Sequence, residues 1–149
     1  MSLQEGKPRM TTGPEAPLAP GRCMALLRSV PTGRLVYTDG ALPAVHPVAF
    51  AAPNGEIVVP TGDDGWFERF DGSLLAFHAE QLEAPTRSGW SVVAIGRARL
   101  ARGTDGLRGF DGAGGLPWGI GTEDPLLVID VEHISGRRAT LPWWPGERG

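Results

Sequence analysis

The residues of this sequence that could do chemistry are few and scattered. Histidines stand at positions 46, 78 and 133, a lone cysteine at 23, adjacent carboxylates at Asp63-Asp64, and a tryptophan–serine pair at Trp90-Ser91. There is no Gly-x-Ser-x-Gly elbow, no Gly-Lys-Ser/Thr phosphate loop and no His-Glu-x-x-His pair. Each histidine falls in or beside an expected strand. There a hydrogen-bonded structural role is commoner than axial ligation of heme, which one of them could also supply. Cys23 lacks the cationic setting that activates a thiol and reads as a small buried residue. Asp63 and Asp64 lie in a glycine loop, where a solvated turn is a simpler reading than a cation site. Thr61, three residues before Asp64, fits either a capping box or a hydroxyl offered to a ligand. Trp90 is either a core anchor or a wall for a planar ligand, the anchor being the commoner use.

The element that must position Trp90-Ser91 is the longest pattern in the chain. Thr86-Arg87-Ser88-Gly89 is polar and turn-rich, and it runs into the apolar Val92, Val93, Ala94 and Ile95. Arg97, Arg99 and Arg102 then alternate with small or apolar residues, which predicts one strand to about Leu100, buried at its start and half-exposed at its end. Upstream, Cys23, Leu26, Leu27 and Val30 recur at helical spacing, a short amphipathic helix stopped by Pro31. Strands are expected at 33–38, 43–51 and 56–61. Hairpin turns at Asp39-Gly40 and Asn54-Gly55 would join them into a meander. Pro43, Pro47 and Pro60 lack N–H donors and should lie at an edge, bulge or strand end. A loop at 61–65 leads to a short helix at 66–70, a fourth strand at 73–80 and a polar connector at 81–89. The Gly-rich stretch 103–121 has only a weak claim to helix, near 107–110. A last strand spans 126–131, and Gly136-Arg137-Arg138 closes the domain.

The expected organisation is a flexible Pro-rich arm (1–20), one domain (21–140) and an apolar tail (141–149). The adjacent Trp143 and Trp144 in that tail each carry roughly 150–250 Å² of largely apolar surface. They should dock on the barrel or on a second subunit. A chain of 149 residues with 41% apolar content can bury a core without staples. Its 22 glycines and 14 prolines favour turns over long helices. A net charge of −3 without a basic block argues against nucleic acid or an anionic membrane as partner. One cysteine excludes an internal disulfide, and no apolar run suits a membrane helix or a signal peptide, so a cytoplasmic location is expected.

Thr86-Arg87-Ser88-Gly89-Trp90-Ser91-Val92-Val93, followed by Gly96-Arg97-Ala98, resembles the central signature of the pyridoxamine 5′-phosphate oxidase-like family of FMN-binding split β-barrels. The likeness extends to Cys23-Met24-Ala25-Leu26-Leu27, to Gly33-Arg34-Leu35, to Pro43-Ala44-Val45-His46-Pro47-Val48-Ala49-Phe50 and to Gly136-Arg137-Arg138, in the expected order over about 20–140. The fold it implies is mainly β: a small antiparallel split β-barrel with an N-terminal helix and one short helix.

The resemblance also implies a flavin, FMN, in a slot between two protomers of a homodimer. Val48, Ala49 and Phe50 would line the ring edge. Val59, Pro60 and Thr61 would flank the ring and ribityl chain, and Trp90 and Ser91 would reach the cofactor across the interface. In such an oxidoreductase the ring carries the hydride or electron chemistry, and no catalytic pair of side chains is needed. One departure stands out. Relatives place a Lys or Arg at the start of the short helix for the phosphate, whereas this chain has Asp63-Asp64-Gly65-Trp66. Arg69, Arg87 and Arg97, with Thr61 and the free N–H groups at Gly65-Trp66, are the substitutes expected if FMN binds. The alternatives are a barrel that has lost its cofactor and serves as a binding module, or a relative using a deazaflavin or heme. Nothing in the sequence selects a substrate.

Overall fold

The computed structural model describes residues 17–102 and 125–146. Helix α1 (Pro20–Leu27) precedes strands β1 (Thr32–Asp39), β2 (Leu42–Ala49) and β3 (Glu56–Pro60). A 3-10 turn (Gly65–Phe70) is followed by β4 (Leu74–Glu83), β5 (Ser88–Arg102) and β6 (Pro125–Thr140). The strands form one antiparallel sheet in the order β2-β1-β4-β5-β6-β3. An isolated bridge joins its two edges, with Ala51 N donating to Val58 O at 2.9 Å and Val58 N to Ala51 O at 2.8 Å. The result is the small antiparallel split barrel that the sequence implies.

Period-two alternation sorts the side chains. Leu35, Phe77, Ala79, Trp90, Val92 and Ala94 face a single core, where Phe50 and Phe77 meet at 4.6 Å between ring centroids. Leu126, Leu127, Val128 and Ile129 are buried without a break. Leu127 and Ile129 join the main core, while Leu126 and Val128 join a second cluster with Val58 and Ala101. A strand covered on both faces reads as a continuous apolar run, as it does here. Helix α1 docks with Cys23 and Leu27 fully buried. Gly136 permits this approach, because a Cβ there would lie 2.9 Å from Cys23 Sγ and 2.8 Å from Val92 Cγ2. Burial pushes the Cys23 thiol pKa up, as suits an inert core residue.

Several boundaries differ from the sequence reading. The first hairpin turns at Gly40-Ala41, both at positive φ (57° and 75°), one residue later than Asp39-Gly40. Asn54 and Gly55 do adopt the expected positive φ (38° and 82°). The turn they make does not complete a meander, since β3 leaves β2 after one bridge and pairs with β6. Long-range pairing with the apolar Leu126–Ile129 run overrides the neighbour in sequence. The supposed connector 81–89 is mostly strand, because the β4–β5 ladder continues to Glu83↔Ser88. Likewise β6 does not end at 131. It absorbs an irregularity opposite Ile95/Gly96 and runs to Thr140 through Gly136-Arg137-Arg138. The 66–70 helix is a 3-10 turn capped by Asp64, whose Oδ1 accepts from Trp66 N at 2.9 Å. Thr61 is therefore not its N-cap.

Pro43 and Pro47 lie on the edge strand β2 and Pro60 ends β3, where missing donors are tolerated. Pro17 and Leu18, placed with the N-terminal arm, pair with β6. Leu141 N donates to Arg87 O at 2.7 Å, and the Arg87 guanidinium covers the Trp143 ring at 4.2 Å, so the tail docks on its own barrel as far as Trp143. Trp144 is 74% exposed. The rest of the arm and the stretch 103–121 lie outside the described residues.

Candidate functional site

On the sheet face opposite the core, three strands bring four polar side chains together. Arg34 (β1) stands beside His78 (β4) in register, and Glu80 (β4) beside Ser91 (β5). Arg34 Nη1 lies 3.0 Å from His78 Nδ1, and His78 Nε2 lies 2.9 Å from Ser91 Oγ. Glu80 is close to both, with Oε2 3.8 Å from Arg34 Nη2 and Oε1 3.7 Å from His78 Nε2. Burial lowers the His78 pKa below its ordinary value; Glu80 opposes that shift and Arg34 adds to it. On its other side Ser91 stands in register with Arg137 of β6, and the remaining neighbours on the face are largely apolar. Val36, Ala76, Val93 and Ile95 are half-buried on the same face, and Val45 and Leu74 are exposed at 57% and 56%.

The sequence singled out Ser91 and His78 separately and did not point to Arg34 as a site residue. Forty-four positions separate Arg34 from His78, and only the β1–β4 register joins them. Both ring nitrogens of His78 are engaged, so ligating a heme would displace Arg34 or Ser91. His46 stacks on Trp66 (4.3 Å between centroids), and His133 is exposed on β6. Among the described residues no group of three His, Cys, Asp or Glu side chains could hold a metal ion.

The other site residues implied by the family likeness divide between core and rim. Trp90 is only 5% exposed and packs in the core with Val48, Phe50 and Val59. Its neighbour Ser91 is the member of the pair that faces outward. Trp90 also borders an open cleft with Gln81, Ser88, Gly89, Arg138 and Thr140. Ala49 is exposed at the end of β2, and Pro60 is half-buried at the end of β3. Thr61 is buried, and its hydroxyl donates to Pro125 O, with Gly62 O at 3.2 Å.

The loop after β3 carries an acidic cleft. Asp63, Asp64 and Glu68 line a space of about 170 Å³ with Arg102, Phe67 and Leu100. Behind it, Trp66, Phe67 and Phe70 pack with Tyr37 and His46 in an aromatic cluster. The arginines expected to replace the missing phosphate lysine have protein contacts of their own. Arg69 lies over the Trp66 ring at 4.9 Å, Arg87 covers Trp143, and Arg97 Nη1 donates to Gly72 O at 2.8 Å.

Residues 20–138 match the family described as pyridoxamine 5′-phosphate oxidase, and the chain belongs to it. An uncharacterized protein of Mycobacterium tuberculosis is 29% identical over 127 residues, covering 77% of this chain and 79% of that one. The FAD binding protein of Mycobacterium smegmatis superposes with a TM-score of 0.63 at 24% identity, covering 83% of this chain and 96% of the other. The FAD and heme binding protein of the same organism does so with a TM-score of 0.62 at 16% identity, covering 87% and 75%. These neighbours share the fold of this chain. No described helix is long and apolar enough to cross a membrane.

Proposed function

We propose that this protein is a flavin-binding oxidoreductase-like protein whose cofactor lies on the outer face of the sheet, where two copies of the chain meet. The observation that carries the reading is Ser91, clustered with His78, Arg34 and Glu80 beside the half-buried Val36, Val93 and Ile95. An apolar surface with a few convergent polar groups suits a planar heterocycle. The exposed Val45 and Leu74 on the same face call for cover, which a second protomer would supply. When bound, the flavin supplies the hydride or electron chemistry, while the chain binds and orients it and excludes water.

The fit to the ring does not extend to the usual phosphate position. Three carboxylates and one guanidinium line the cleft after β3. Like charges 4 Å apart repel by about 4 kcal/mol at an effective dielectric of 20, and less where water reaches them. A dianionic FMN phosphate is therefore disfavoured there. Two of the structural neighbours are FAD binding proteins, which makes FAD a candidate beside FMN. The same acidic loop supports a second reading, a barrel that has given up its cofactor and acts as a binding module.

Titration with riboflavin, FMN and FAD separates the two. On the flavin reading all three quench protein fluorescence, FMN binds no tighter than riboflavin, and Asp64→Lys tightens FMN alone by about 1–3 kcal/mol, the scale of a charge-assisted contact. Sedimentation should show a dimer at micromolar concentration. Absence of uptake of any flavin would sink the first reading in favour of the second.

A further inference from the structure

We propose that Arg34 and His78 are positioning residues that lock Ser91 as a hydrogen-bond donor to the flavin ring. The inference rests on the flavin reading for its ligand, but its first half follows from the chain alone. A guanidinium has donors and no lone pair to offer. The 3.0 Å contact of Arg34 Nη1 with His78 Nδ1 therefore requires that Nδ1 carry no proton. The proton of the neutral imidazole must sit on Nε2, and from there it is donated to Ser91 Oγ at 2.9 Å. Ser91 accepts that bond, so its own O–H is left to point elsewhere. Among the described residues its side-chain hydrogen bond is the one to His78.

Two consequences follow. Ser91 is not a nucleophile primed by a histidine base, because the nitrogen facing it already holds a proton. The Arg34–His78–Ser91 chain runs in one direction, and its open end presents an O–H. The matching ligand atom is an acceptor. Glu80 and Arg34 lie 3.8 Å apart and offset each other's charge beside the site. A neutral carbonyl oxygen or an unprotonated ring nitrogen of the flavin suits it. The relay then selects which edge of the ring faces β5.

Two measurements test this, and they fail independently. Imidazole ¹⁵N NMR on the protein without added flavin should show His78 neutral at pH 7 with its proton on Nε2, and Arg34→Met should remove that bias. A proton on Nδ1, or an imidazolium at pH 7, overturns the relay. In titrations with riboflavin, Ser91→Ala and His78→Leu should each weaken binding by about tenfold, the upper range for one neutral hydrogen bond. The double variant should be little worse than either. His78→Gln can both accept from Arg34 and donate to Ser91, so it should restore the affinity and the bound flavin's visible spectrum. Unchanged binding in His78→Leu, or failure of His78→Gln to rescue, overturns the positioning role. If the wild-type protein takes up no riboflavin, the flavin reading and the ligand half of the relay fall together, while the NMR result still decides the tautomer.

Discussion

Replacing Arg99 with Met probes the one strongly buried charge in the described barrel. Glu56, at the start of β3, is 0% exposed. Its Oε2 lies 2.7 Å from Arg99 Nη2, and Arg99 Nε donates to Asp130 Oδ2 at 3.1 Å. Burial alone would lower the Arg99 pKa, but its hydrogen bonds and charge contacts with Asp130 and Glu56 outweigh that and raise it. Removing one partner of a buried pair costs about 3–5 kcal/mol, because the other charge stays desolvated. Arg99 itself is 35% exposed, and water can partly take its place. The expected loss is therefore at the low end, about 3 kcal/mol, or about 10 °C in melting temperature for a chain of this size. Urea unfolding followed by tryptophan fluorescence should show a lower midpoint with unchanged slope. Glu56→Leu combined with Arg99→Met should recover most of the loss, since an apolar pair can replace a buried ionic one. A single-variant loss below about 1 kcal/mol, the range of a surface ion pair, would refute the reasoning.

Stability should also depend on His78. Its pKa in the folded protein is below the ordinary 6.5, by burial first, with Arg34 adding to the shift and Glu80 opposing it. The unfolded chain thus binds more protons between the folded value and 6.5, and stability rises with pH through that window. The urea midpoint should fall on acidification below 6.5, and less so in His78→Gln; an equal fall in both would assign the effect to other groups. At Gly136 a Cβ would meet Cys23 Sγ and Ser91 O at 2.9 Å and Val92 Cγ2 at 2.8 Å. Gly136→Ala should cost about 1–3 kcal/mol by forcing α1 off the sheet, and an unchanged melting temperature would show that α1 yields freely.

Local patterning determined the element types. Alternation marked β5, helical spacing marked α1, the Asn54-Gly55 turn falls where its residues require positive φ, and the prolines lie where donors are dispensable. The ordered family signature in the sequence pointed to the fold that the structure has. Pairing was not legible, because a strand's ladder partner is a matter of long-range packing and not of its own sequence. The Asn54-Gly55 turn looks the same whether β3 pairs with β2 or with β6, and burial against Leu126–Ile129 decides for β6. Strand length had the same limit. Glu83 and Ser88 look like loop residues until the ladder places them opposite each other. The site shows the division most sharply. Sequence alone marked Trp90-Ser91 as a unit, yet the two-residue period of a strand sends Trp90 into the core and Ser91 outward. Arg34, His78 and Ser91 meet because three strands lie side by side in register, and no local pattern within any one strand encodes that meeting.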